Sequence, residues 1–377
     1  MVALKIAGFY PLRGNKYKHL HTISATYFLS ITILYIILAC IHSFLNLTNI
    51  TELSETVTFL MTILAYLGKI LNLFFYRKNL IKLEDMLQNP ILTKLETEEE
   101  ENILKRNFRY SRLFTNIFKA KSATAASVHA VYPLLGDYGS KNFLFLLWFP
   151  FDPKDYYIPV YFFEMTLLLS STWFDITMDT LNILMMDLCA TQFEILKKRL
   201  IRIGTSFTGD EAIDDKLRLR KLRKYIIHHN YIYSCSELVR DTYSIGEFCQ
   251  VGCSVMVVCF GLFKLLIIPL KSAQFLMLVT YSTTMIYQIS LYCCYGQKLL
   301  NASDTVTEAC YMSRWNDCST QVQKYLAMIM NRANTPFLMK AGGIFSLTLE
   351  TLMTIYTSAY SFFAILWKVY HSEDQAA

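Results

Sequence analysis

Ser346, Glu350, Thr354, Thr357 or Ser358, Ser361 and Ile365 recur at three- and four-residue steps near the end of a 377-residue chain. That spacing places them on one helix face, within a stretch of about 24 otherwise apolar residues that is long enough to cross a bilayer. A helix satisfies its own backbone, so a hydroxyl seam points to water or a partner chain. The same hydroxyls can instead bond back to carbonyls four residues earlier, or let helices pack closely. Covalent and metal chemistry find no matching residues. The sequence holds no nucleophile elbow, phosphate-cradling glycine loop or His/Cys/Glu set at metal spacing. The expectation is a protein that is not an enzyme and needs no cofactor or metal.

The elements that must position this seam follow from composition. Mean hydropathy is +0.31, with 54% hydrophobic and 18% charged residues; these values exclude a soluble domain and a disordered chain alike. Seven apolar segments fall at about 22–45, 54–76, 113–135, 158–189, 243–268, 273–296 and 344–367. The first is long and lacks a small-residue cleavage pattern, so it reads as an uncleaved span. The fold expected is an all-α membrane protein with seven transmembrane helices and no second domain.

Lysine and arginine set the orientation. The N-terminal segment, 77–112, 191–240 and 297–340 together hold 28 of them, whereas the alternate segments hold four. The positive-inside rule then makes the N-terminus cytosolic and the C-terminus extracellular. Asn46-Leu-Thr48 and Asn49-Ile-Thr51, both in the first outside loop, are glycosylation acceptor patterns.

From Pro159 no helix breaker appears until Gly204, so the fourth helix should project into the cytosol. Capping boxes at Thr97 with Glu100 and at Thr208 with Glu211 start further long helices. Segments 77–112, 190–240 and 297–343 read as a cytosolic helical anchor. Four expectations concern charge and sulfur. The Glu98–Glu101 run lies in solvent, His228-His229 sit on a solvated face, Lys69, Lys119 and Lys121 snorkel, and the ten cysteines form no disulfide. The membrane holds too few charges for a transporter or proton relay. The aromatic outside loop from Gly136 to Pro159 is either an interfacial belt or a lid over a pocket.

Trp148-Phe-Pro-Phe-Asp152, Tyr292-Cys-Cys-Tyr-Gly296-Gln-Lys-Leu299, Ala309-Cys-Tyr311, Trp315, Lys340-Ala-Gly-Gly-Ile-Phe-Ser-Leu-Thr-Leu-Glu350 and Ala359-Tyr-Ser-Phe-Phe363 resemble the insect odorant receptor family. The ending Ala359-Tyr360 favours that branch over the gustatory one. The chain also lacks the long cytosolic insertion of the shared co-receptor, so it resembles a ligand-tuning subunit. The resemblance implies a plasma-membrane protein of sensory dendrites. It implies a heterotetramer with the co-receptor that forms a nonselective cation channel in contact with membrane lipid and permeant cations, without nucleic acid. It also implies a seventh helix broken in two, with one half (about 317–331) in the anchor and the other (about 344–367) lining the pore. Pro336 and Gly342-Gly343 fit that break.

On this resemblance Thr354, Thr357, Ser358 and Ser361 line the pore, and Ile365 and Leu366 are candidates for a hydrophobic gate, with Phe363 a weaker one. Glu350 either draws cations at the inner mouth or bonds a neighbouring helix. A pocket in the outer half of the membrane would take a small volatile with an apolar body and up to one polar group. Its nominated linings are Phe59, Ile63, Ala126, His129, Ala130, Tyr132, Phe162, Met165, Thr166, Leu169, Trp173, Leu278, Tyr281 and Met285, and ordinary packing is the stronger reading of any one of them alone. The rival class is a seven-helix receptor signalling through G proteins. That class needs an outside N-terminus, opposite to the charge bias.

Overall fold

The structure is a computed structural model that describes residues 18–135, 143–204 and 211–374. Seven long helices form an all-α bundle. They are α1 (Lys18–Leu45), α2 (Ile50–Phe75), α5 (Glu98–Val131), α6 (Tyr157–Ile201), α7 (Glu211–Ile267), α8 (Ala273–Tyr311) and α10 (Leu349–Asp374). Three shorter helices connect them: α3 (Arg77–Leu87), α4 (Pro90–Thr93) and α9 (Thr320–Ala333). α6 spans 45 residues and α7 spans 57, about 68 and 86 Å at 1.5 Å per residue. Both therefore overrun a bilayer.

Local chemistry starts and stops these helices. Asn49 caps α2 by accepting from the Glu52 N–H, and Thr97 caps α5 by accepting from the Glu100 N–H. The Thr208 cap lies outside the described residues. Among the described residues the only strands are β1 (Lys340–Ala341) and β2 (Phe345–Ser346), an antiparallel pair that interrupts the final element between α9 and α10. Gly342 and Gly343 turn the hairpin with φ of 62° and 73°, a left-handed pair that side chains resist. The Gly342 N–H donates to the Ser244 carbonyl at 2.9 Å, so the hairpin docks on α7.

Among the described residues, length, hydropathy and low charge qualify three helical stretches as long and apolar enough to cross a membrane: His19–Leu45, Glu52–Phe75 and Ile213–Ile267. α6 carries Glu164, Asp179 and Asp187, but all three are buried inside the bundle. The charge that lowers its hydropathy is hidden from the surroundings.

Two charge expectations are corrected at the long-helix end. Glu100 does not lie in solvent. It is buried, and its carboxylate receives Arg199 through Nε at 3.0 Å and Nη2 at 2.8 Å. Burial alone would raise that carboxyl, but the Arg199 hydrogen bonds outweigh it and hold it below the usual range. His228 and His229 are buried too, because α7 turns this face toward α6. Arg199 Nη1 donates to His228 Nδ1 at 3.3 Å, and His228 Nε2 donates to Gln192 Oε1 at 3.1 Å, which fixes the neutral tautomer. Burial, then the charges of Arg199 and His229, push His228 down to about 3, and burial and Arg332 push His229 to about 4.

A pH dependence follows. Between those values and the unfolded value near 6.5, the unfolded chain binds protons that the fold refuses, so stability falls as pH falls. The thermal midpoint of purified receptor should drop by several degrees between pH 7.5 and 5.5, with a shallower drop in His228→Gln. An unchanged slope in that variant would remove His228 from the account.

Among the described cysteines, Cys189 and Cys235 lie with Sγ atoms 3.9 Å apart in the core, and Cys40 is exposed. Lys119 is exposed, while Lys121 is half-buried and reaches the Thr283 hydroxyl at 3.4 Å.

Candidate functional site

A cavity of about 90 Å³ opens between α2, α5, α6 and α8. Phe59, Ile63, Ala126 and His129 wall it toward the α1–α2 end, with Tyr281 and Met285 beside them. Tyr66, Phe118, Asp175, Ile176 and Gln288 close the other end. An apolar cavity of about 150 Å³ accepts benzene, so a guest of that size must push these walls apart.

The walls differ in firmness. Phe59, His129 and Phe145 meet in tilted and edge-to-face pairs with centroids 4.8, 5.2 and 5.4 Å apart, and Tyr281 meets Phe59 at 5.2 Å. His129 Nε2 donates to the Leu144 carbonyl at 3.0 Å, and the Leu144 N–H donates to Glu164 Oε2 at 2.8 Å. Two buried side chains therefore clamp the backbone of one residue of the 143–156 loop over the cavity. Leu144 and Phe145 point inward, whereas Trp148, Phe151 and Tyr156 stay exposed. The loop is cover at its first turn and aromatic rim beyond; residues 136–142 lie outside the described residues.

Beneath the cavity the expectation of a charge-poor membrane region fails. Lys69 is 5% exposed and does not snorkel. Its Nζ lies 2.7 Å from Asp175 Oδ1 and 2.6 Å from Asp179 Oδ1. Gln288 donates to both carboxylates, the Tyr292 hydroxyl donates to Asp179, and Gln250 donates to Gln288 Oε1 at 3.1 Å. Farther along, Asn182 donates to Glu247 at 2.7 Å. Lys264 pairs with Glu55 at the α1–α2 end. Sequence order gives no sign that α2 faces α6, so each charge read alone appeared to need an escape to water.

Six nominated linings meet at this cavity: Phe59, Ile63, Ala126, His129, Tyr281 and Met285. The rest do not. Phe162, Leu169 and Trp173 are 71%, 53% and 64% exposed on the outer face of α6. Thr166 bonds back to the Phe162 carbonyl, Met165 and Tyr132 pack on the core at the α1–α2 end, Ala130 is buried, and Leu278 lines a separate cleft beside Glu55 and Lys264. α6 is apolar almost all round in this region, so periodicity could not choose its inner face. Tyr66, Phe145, Asp175 and Gln288 were missed; the one available signal was the four-residue step from Asp175 to Asp179 in an apolar run.

α10 buries Leu352, Ile355 and Ala359 against α7 and α8, and the Tyr356 hydroxyl meets Ser290 Oγ at 2.8 Å. Glu350, Thr354, Thr357, Ser361 and Ile365 are exposed on the other face, with Ser358 half-buried. The hydroxyls of Thr354, Thr357 and Ser361 donate to carbonyls four residues earlier, at 2.9 to 3.0 Å. The hydroxyls bond back, and their face points away from the chain's own body. The Leu366 side chain lies outside the described residues. Asn46 donates to the His42 carbonyl at 3.0 Å, while Asn49 is exposed at the α2 cap.

A seven-helix bundle with apolar spans, a broken last helix and a cavity between its helices defines an all-α membrane protein. The sequence model of the 7tm Odorant receptor family matches residues 49–360, and the chain belongs to that family. Odorant receptor 94a of Drosophila melanogaster is 26% identical over 90% of this chain and 87% of its own length. Odorant receptor 46a, isoform B, from the same organism is 23% identical over 97% and 96%. Odorant receptor Or2 of Anopheles gambiae is 30% identical over 48% of each chain. The olfactory receptor OR5 of Machilis hrabei superposes with a TM-score of 0.86 alone and 0.84 in complex with eugenol, at 16% and 17% identity, covering 98% of this chain and 96% of that one.

Proposed function

We propose that this odorant receptor is the ligand-tuning subunit of a heterotetrameric, nonselective cation channel formed with the co-receptor. The observation that carries the reading is the cavity clamped beneath Leu144, in a chain whose terminal helix turns a hydroxyl face outward. The lysine and arginine bias puts the N-terminus in the cytosol and the cavity in the outer half of the membrane. The spans then run through the seven apolar segments, and the long-helix end forms the cytosolic anchor. A neighbouring fold solved with eugenol supports a small organic guest.

In this mechanism a guest larger than the resting cavity spreads α5, α6 and α8. α10 packs on α8, so wall movement reaches the pore helix through Tyr356 and Ser290. Thr354, Thr357, Ser358 and Ser361 face the conduit, Ile365 and Leu366 constrict it, and Glu350 draws cations to its inner mouth. Asn49, exposed beyond the membrane, is the better placed of the two glycosylation acceptors.

Whole-cell recording from cells that carry this subunit with the co-receptor should show cation current to small volatiles. Ala126→Phe, which fills the cavity, should shift the effective concentration of its agonists at least tenfold. A volatile panel that never evokes current, or potency indifferent to Ala126→Phe, would overturn the reading. An N-terminal tag accessible on intact cells would overturn the orientation.

A further inference from the structure

We infer that the inner end of the cavity reads a hydroxyl group, with Tyr66 donating to it and Asp175 accepting from it, so that small alcohols and phenols are preferred over ethers of the same shape. This rests on the proposed cavity and narrows its ligand class.

The inference comes from counting hydrogens. Thr62 donates its proton to the Thr58 carbonyl at 3.1 Å, so its short contact with Tyr281 uses the Tyr281 proton. Ser171 and Thr284 donate to helix carbonyls at 3.2 and 2.7 Å. His129 has spent Nε2–H on Leu144. Tyr66 differs. It lines the cavity and is 2% exposed, yet its hydroxyl has no partner among the described residues. An orphaned buried hydroxyl costs free energy until something accepts its proton.

Asp175 supplies the other half. Its Oδ1 accepts from Lys69 and its Oδ2 accepts from Gln288 at 2.9 Å. A carboxylate has about four acceptor sites, which leaves two. Its side chain is 20% exposed, far more open than its buried neighbour Asp179, and it lines the cavity. Gln288 has both amide hydrogens committed to the two carboxylates and its oxygen to Gln250. An ether, ester or ketone can take the Tyr66 proton but turns lone pairs toward Asp175. A hydroxyl accepts from Tyr66 and donates to Asp175, so of these groups it alone serves both. Charge-assisted hydrogen bonds of this kind are the strong ones.

The test uses matched pairs, 4-alkylphenols and the corresponding 4-alkylanisoles, on the full chain with the co-receptor. Current and ligand-induced thermal stabilisation of the purified channel are both read. Wild type should favour the phenol of a pair by about tenfold or more. Asp175→Asn, which leaves Lys69 its partner Asp179, should shrink that preference below about threefold. Tyr66→Phe should weaken both members of a pair, since each accepts its proton. Because this variant removes only an unsatisfied group, its unliganded thermal midpoint should hold or rise. Equal phenol and anisole potency in wild type, an undiminished preference in Asp175→Asn, or potency indifferent to Tyr66→Phe overturns the hydroxyl subsite. Ala126→Phe separates the two levels. If it weakens phenols and anisoles together, the cavity stands whatever becomes of the subsite. If it weakens neither, the cavity reading falls first.

Discussion

Lys69→Met is expected to cost about 3–5 kcal/mol of stability, the range found when one partner of a buried ion pair is removed, and to keep the receptor from the cell surface. Lys69 holds Asp175 at 2.7 Å and Asp179 at 2.6 Å. Without it, two carboxylates four residues apart on α6 face each other across an apolar interior, where uncompensated charge is expensive. Methionine fills the volume, so the loss is electrostatic rather than steric. That assignment is testable. Adding Asp175→Asn and Asp179→Asn to Lys69→Met removes the stranded charge and should recover much of the surface expression, since an apolar or neutral replacement of a whole buried pair is often tolerated. If Lys69→Met alone traffics and melts like wild type, the cluster does not hold α2 to α6.

Gly296→Ala should carry the second-largest effect, at the upper end of the roughly 1–3 kcal/mol typical of overpacking. A Cβ at Gly296 would lie 2.2 Å from the Leu347 carbonyl oxygen and 2.8 Å from Leu347 Cβ. The obstacle is largely backbone, so no rotamer change relieves it. Leu347 is fully buried, and its N–H donates to the Met339 carbonyl at 3.0 Å, next to the hairpin that launches α10. Pushing Leu347 away therefore displaces the base of α10. Current should fall more than surface expression, and Gly252→Ala is the matched control. Gly252 is also helical, but nothing lies within 4 Å of its added methyl. That change should be neutral or gain up to about 1 kcal/mol from helix propensity. Equal behaviour of the two variants would mean that helix flexibility, not contact with Leu347, is what Gly296 provides.

The sequence by itself determined the chain's long-range architecture. Apolar runs and their breakers placed seven long helices, the uninterrupted reach from Pro159 toward Gly204 gave the overlong α6, and Pro336 with Gly342-Gly343 split the final element. These features are local: apolar content, a missing N–H or a left-handed φ act within a few residues of themselves. Tertiary structure decided which faces meet. Glu100, His228 and Lys69 look solvent-bound when each is read alone, and become buried because Arg199, Gln192 and the two aspartates arrive from other helices. The cavity divides the same way. Ala126 and His129 could be nominated on α5, but Phe162, Leu169 and Trp173 fell on the outside of α6. Around those three positions the outward side of α6 is as apolar as the inward one, so which side lines the cavity belongs to its neighbours.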